Sequence, residues 1–140
     1  MAERRLDTKG RARAIQLLYA WELAGGTPLD RVLWGVGRLI GPEPRVLDLA
    51  EAHATRVVAN LDTLDRRAAA AAENWRWDRI AIIERNILRL AIQELDDGVT
   101  PAKVVIDEAV RLAHWFGNTR APSFVNGVLD RVARDLGRLA

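Results

Sequence analysis

Cysteine is absent from this chain of 140 residues, so neither a disulfide framework nor a thiolate metal site can hold the fold together. Serine occurs once, at Ser123, and histidine twice, at His53 and His114. A nucleophile, a base and an orienting acid would have to converge from single copies set far apart, and no spacing among them suggests it. The expectation is a protein that is not an enzyme. His53 falls on an apolar stripe and reads as a core residue. Gly25-Gly26 has neither the preceding strand nor the following lysine of a phosphate-binding loop. Asp96-Asp97-Gly98 reads as a helix end with a glycine stop, because no calcium-loop spacing follows it. No cofactor and no metal are therefore expected. Apolar residues nowhere run to the ~18 that a membrane-spanning helix requires. The basic opening MAERRLDTKGRAR lacks the apolar segment of a secretory leader. A cytoplasmic protein with no membrane partner is expected.

What remains is a helical composition. Apolar residues make up 49% of the chain, enough for one core, and the expectation is a single domain over 1–140. Apolar positions recur at helical steps, and no strand-like alternation persists. A first helix over about 8–24 carries Ile15, Leu18 and Tyr19 on one stripe and ends at Gly25-Gly26. A second opens at Thr27-Pro28 and runs through Leu29, Val32, Leu33, Val36 and Ile40 to Gly41-Pro42, weakened by Gly35 and Gly37. Further helices fall at about 44–60, 62–72 and 77–96, the last with an apolar face of Ile80, Ile83, Ile87, Leu90 and Ala91 and a stop at Gly98. Thr100-Pro101 opens a sixth that closes at Gly117, and Pro122 opens the seventh, which buries Val125, Val128, Leu129, Val132 and Leu136. The fold class is all-α with about seven helices. Arg89 flanks the apolar face of the fifth helix and Glu108 that of the sixth, and a buried pair between them is expected to lock the register.

Charge is more telling in its distribution than in its sum. The net charge is +2, and the isoelectric point of about 9.6 is driven by arginines that never titrate. Arg4, Arg5, Lys9, Arg11 and Arg13 crowd the first 13 residues against only Glu3 and Asp7. Such a cluster suits phosphate recognition and equally suits a solvated end. The five tryptophans, Trp21, Trp34, Trp75, Trp77 and Trp115, read first as rings that bury area and fasten helix ends. Near the last helix, Ser123-Phe124-Val125-Asn126-Gly127 supports two readings. An aromatic and an amide at a helix N-terminus suit a nucleic-acid surface. A packed phenylalanine, a cap and a close helix crossing over Gly127 would serve structure alone.

Several runs resemble the NusB family of bacterial transcription antitermination factors. They are Arg11-Ala12-Arg13-Ala14-Ile15-Gln16-Leu17-Leu18-Tyr19, Trp77-Asp78-Arg79-Ile80, Glu84-Arg85-Asn86-Ile87-Leu88-Arg89-Leu90-Ala91 with Glu94-Leu95, Pro101, Val104 to Glu108 with Ala109-Val110, Leu112-Ala113, Phe116-Gly117 and, most specific, Phe124-Val125-Asn126-Gly127-Val128-Leu129-Asp130. The middle, about 25–70, matches only as helices of suitable length. The resemblance implies seven helices in two packed three-helix units. It implies binding to boxA RNA together with the ribosomal protein NusE, in an RNA polymerase antitermination complex that promotes read-through of ribosomal RNA operons. It places Arg4, Arg5, Lys9, Arg11 and Arg13 at phosphates, Phe124 and Asn126 at bases, and Tyr19 and Glu84 at the NusE surface. Arg120, often acidic or polar in relatives, is expected to add a phosphate contact ahead of the last helix. Asp107, Arg111 and His114 depart from the family's usual charges on one helix. A homodimer of the free protein is left open. The same fold also opens some rRNA cytosine methyltransferases, and that variant is not expected here, because a cofactor-binding sheet would need more chain than the 140 residues hold beyond the last helix. The alternative from another class is a helical protein-interaction or dimerisation module that does not bind RNA.

Overall fold

A computed structural model of the chain describes residues 2–36 and 43–139. The readings placed on Gly37, Ile40 and Gly41-Pro42 lie outside those residues. The described residues form seven α-helices and one short 3-10 turn, and no strand occurs among them. They divide into two compact units, residues 1–59 and 60–140.

The first unit holds α1 (Ala2–Leu23), α2 (Leu29–Val36) and α3 (Pro44–Ala59). α1 starts several residues before the expected position, so the cationic opening is helical rather than a leader to the helix. Its main packing partner is α3. Gly10 makes that approach possible: a Cβ added there would sit 2.8 Å from the Leu49 Cβ, closer than side chains pack. Ala14, Ile15, Leu17 and Leu18 of α1 are buried, as are Val46, Ala50, His53, Ala54 and Val57 of α3. Gly25 and Gly26 take the left-handed backbone that stops α1, with φ of 74° and 84°.

The second unit holds α4 (Leu61–Ala71), a 3-10 turn (Trp77–Arg79), α5 (Ile82–Asp97), α6 (Ala102–Phe116) and α7 (Ala121–Asp135). The expected helix over 77–96 is therefore two elements. Ile80 and Ala81 are extended, with ψ of 137° and 143°. No glycine or proline marks the break, and the buried Ile80 side chain anchors the extended link. α5 also departs from the one-faced helix expected of it. Every residue from Asn86 to Leu95 is buried, and α4, α6 and α7 all pack against it. A central helix buries its polar residues too, and these must find partners. Asn60 donates to the Gln93 side chain at 3.0 Å, and Gln93 donates onward to Asp97 at 3.0 Å. Gly98 stops α5 with φ 71°. The Arg138 guanidinium lies over that glycine and donates to the carbonyls of Leu95 and Asp96 at 3.0 and 3.1 Å, closing the helix end with a cation.

Arg89 and Glu108 are both buried, as expected. The Arg89 fork grips the carboxylate of Asp65 on α4: Nε lies 2.7 Å from Oδ1 and Nη2 lies 2.9 Å from Oδ2. Nη1 donates to Asn86 at 3.0 Å. The guanidinium carbon also stands 5.7 Å from the centre of the Trp77 ring. Arg89 thus ties α5 to α4.

Candidate nucleic-acid interface

Helical phase sorts the cations of α1. Arg5, Lys9 and Arg13 recur every fourth residue and share one stripe. Arg4, Arg5 and Lys9 are exposed. Lys9 lies 3.5 Å from Glu43 in an exposed ion pair, which contributes at most about 1 kcal/mol and yields readily to a competing anion. Arg13 is half-buried and donates to Gln16 at 2.9 Å. Arg11 does not belong with them. It is 5% exposed and engaged inside the fold. Counting three, four and seven residues onward from Arg11 gives Ala14, Ile15 and Leu18, all buried, so the phase of the helix carries Arg11 inward. The expectation of a phosphate contact at Arg11 is corrected, and the periodicity alone would have shown it.

The second set of residues gathers at the start of α7. The Asn118 side chain organises the turn, its Oδ1 accepting the N–H of Arg120 at 2.9 Å and of Ala121 at 3.0 Å. α7 then begins with Pro122 in its first turn. Arg120 is exposed and Phe124 half-buried. Both line a groove of about 590 Å³ together with Trp75, Ser123 and Gly127. The Phe124 ring meets Trp75 edge to face, with centroids 5.1 Å apart and planes at 64°. Phe124 is thus neither a core residue nor an isolated exposed ring. Asn126 is exposed on the same helix. Gly127 supports no close helix crossing, because a Cβ added there would meet nothing within 4 Å.

The tryptophans depart from the structural role expected of them. Trp34, Trp75 and Trp115 are 70%, 56% and 55% exposed, leaving only Trp21 and Trp77 half-buried. Tyr19 is exposed on α1. Glu84 is 8% exposed, so a partner could reach only an edge of it. Its carboxylate accepts the backbone N–H of Asn118, the residue that organises the start of α7. Asp107, Arg111 and His114 are exposed on α6, where their spacing sets them along one stripe.

Loss of hydration pushes the Glu84 carboxyl above its ordinary value of 4.5, and the Asn118 N–H counters part of that rise. The raised value means that the folded protein holds this proton over a pH range in which the unfolded chain has released it. Stability contributed here is present at low pH and falls as pH rises from about 4.5 through the raised value. Glu84→Gln keeps an acceptor for Asn118 and cannot ionise. It should flatten that stretch of the pH–stability curve, measured as urea midpoints. A profile identical to that of the unmodified protein would exclude Glu84 as its source.

No group of three or more histidine or carboxylate residues is placed to hold a metal among the described residues, and no helix there is long and apolar enough to cross a membrane. Solvent-facing cations and rings set on rigid helices define an all-helical binding protein. The comparisons with known proteins name its kind. The NusB family model matches residues 8–134. The transcription antitermination protein NusB of Solibacter usitatus is 40% identical, over 97% of this chain and 92% of the relative. That of Sorangium cellulosum is 40% identical over 93% of each. Among solved structures, T. maritima NusB superposes with a TM-score of 0.81 at 28% identity, covering 92% of this chain and 91% of that one. Antitermination factors NusB and NusE in complex with dsRNA give a TM-score of 0.80 at 25% identity, covering 94% of this chain and 98% of that one. The chain belongs to the NusB family, whose members are transcription antitermination proteins and not enzymes.

Proposed function

We propose that this protein is a cytoplasmic antitermination factor that binds boxA-type RNA together with the ribosomal protein NusE. In that role it acts within an RNA polymerase antitermination complex and promotes read-through of ribosomal RNA operons. The observation that carries the reading is the gathering of Arg120, Phe124 and Trp75 around one groove at the start of α7. A cation beside a helix N-terminus suits a phosphate, and aromatic rings with open surface suit unstacked bases. The exposed cations of α1 supply a second, sequence-independent attraction for the RNA backbone. Tyr19 is an exposed residue of the proposed NusE contact, and Glu84, also assigned to it, is buried and holds the Asn118 N–H. The solved relative that contains both NusE and RNA supports this pairing of partners.

Salt dependence tests the reading. Single-stranded RNA carrying a boxA-like sequence should bind with an affinity that falls steeply as salt rises. Each phosphate contact contributes roughly 0.7 to the slope of log affinity against log salt. The double variant Arg5→Ala, Lys9→Ala should therefore flatten that slope by about 1.4 if both residues meet phosphates. Arg120→Asp should weaken binding more at low salt than at high salt, because added ions screen an exposed charge. RNA binding with no salt dependence would overturn the phosphate contacts, and no RNA binding at all would leave the protein as an interaction module that does not touch RNA.

A further inference from the structure

We infer that Trp75 and Gly127 form a seat for an unpaired RNA base, distinct from the contacts carried by Phe124 and Asn126. The inference rests on the RNA-binding reading given above and deepens it. Three observations converge on this place. Trp75 keeps 56% of its surface open although its ring is already held against Phe124. A large ring held by one neighbour and open on its other side offers surface on which a flat ligand can stack. Gly127 sits in the interior of α7, where alanine would favour the helix, yet no atom lies near enough to forbid a Cβ. No packing contact therefore accounts for the glycine, and the space it keeps open is the groove it lines.

The chemistry of the lining selects the occupant. Arg120 and Glu73 both border the groove. A carboxylate in the wall disfavours a bare phosphate, whereas a base is neutral and flat and brings its own phosphate to the cation. An unpaired base stacks on a tryptophan face whatever its identity. A Glu73 carboxylate at the rim adds preference for a base edge that donates a proton, such as the amino group of cytosine or adenine. Its partner Arg131 is 3.8 Å away, and both side chains are exposed, so that weak pair leaves the carboxylate available. The missing Cβ at residue 127 lets the base approach the helix backbone as closely as a glycine allows.

The test is the affinity of the full-length protein for a short boxA-like single-stranded RNA, read by anisotropy of a labelled strand, with thermal melting of each variant beside it. Trp75→Ala should weaken binding by about tenfold or more, the range of a lost base–aromatic stack. Trp75→Phe should restore part of that loss. Gly127→Ala should weaken binding similarly while melting at or above the temperature of the unmodified protein. That variant keeps the proposal testable even if Trp75→Ala disturbs the fold. Trp115→Ala, which removes an equally exposed ring elsewhere, should bind RNA as the unmodified protein does. RNA binding lost in Phe124→Ala but unaltered in both Trp75→Ala and Gly127→Ala would overturn the base seat and leave the RNA-binding reading standing. No RNA binding by the unmodified protein would overturn both.

Discussion

Replacing Asp65 with alanine should lower the unfolding free energy by about 3–5 kcal/mol, the range for breaking a buried ion pair from one side. Asp65 takes two parallel hydrogen bonds from Arg89, at 2.7 and 2.9 Å, which is the strongest geometry available to an arginine. The two partners are unequally buried. The Arg89 side chain is 6% exposed and that of Asp65 is 24% exposed. Losing the aspartate strips a buried guanidinium of the carboxylate it was folded around. Losing the arginine leaves an Asp65 carboxylate that water can still reach, and a buried Asn86 oxygen without that donor. Arg89→Met should therefore cost less, about 1–3 kcal/mol, in line with a buried group that loses its partner but regains some hydration. Urea unfolding of the two single variants and the double variant would measure both the order and the coupling. Coupling below about 0.5 kcal/mol would place the pair with ordinary surface bridges and refute the account.

Gly117→Ala should cost about 1–3 kcal/mol by overpacking and should also weaken RNA binding. The glycine is not needed for its backbone angles, since φ −94° and ψ 178° are extended and open to any residue. The obstacle is steric. A Cβ would stand 2.5 Å from the Ala121 Cβ and 2.9 Å from the carbonyl oxygen of Ala113. Neither neighbour is the flexible end of a side chain, and Ala121 is buried, so relief requires moving the backbone where α6 turns into α7. That turn sets Arg120 and Phe124 at their groove. Gly127→Ala provides the contrast, because open space there makes the same substitution favourable to the helix. Melting temperatures that move together in the two variants would show that the turn at Gly117 tolerates a side chain.

Helix identity was legible because it is written in local terms. Apolar spacing marked out the helices without fixing the start of α1 or the break before α5, and glycines with positive φ at Gly25, Gly26 and Gly98 closed two of them where expected. The family was legible from ordered runs such as the one from Phe124 to Asp130. Arg11 could have been placed correctly by the same periodicity. Its charge drew it into a cluster from which the phase of α1 excludes it.

By itself, then, the sequence determined that the chain is helical, where the turns marked by Gly25-Gly26 and Gly98 fall, and that cations and an aromatic amide-bearing segment were available to bind RNA. Those properties depend on residues within a few positions of one another, over which helical geometry is nearly fixed. The tertiary structure alone decided which groups meet across longer separations. It brought Asp65 to Arg89 across 24 residues of chain, and it set Trp75 against Phe124 with its ring still exposed. It also used Glu84 to hold the turn at Asn118. Such choices follow from which helix faces approach closely enough for a hydrogen bond or a ring contact. That distance is set by the packing of the whole core, and no stretch of sequence carries it alone.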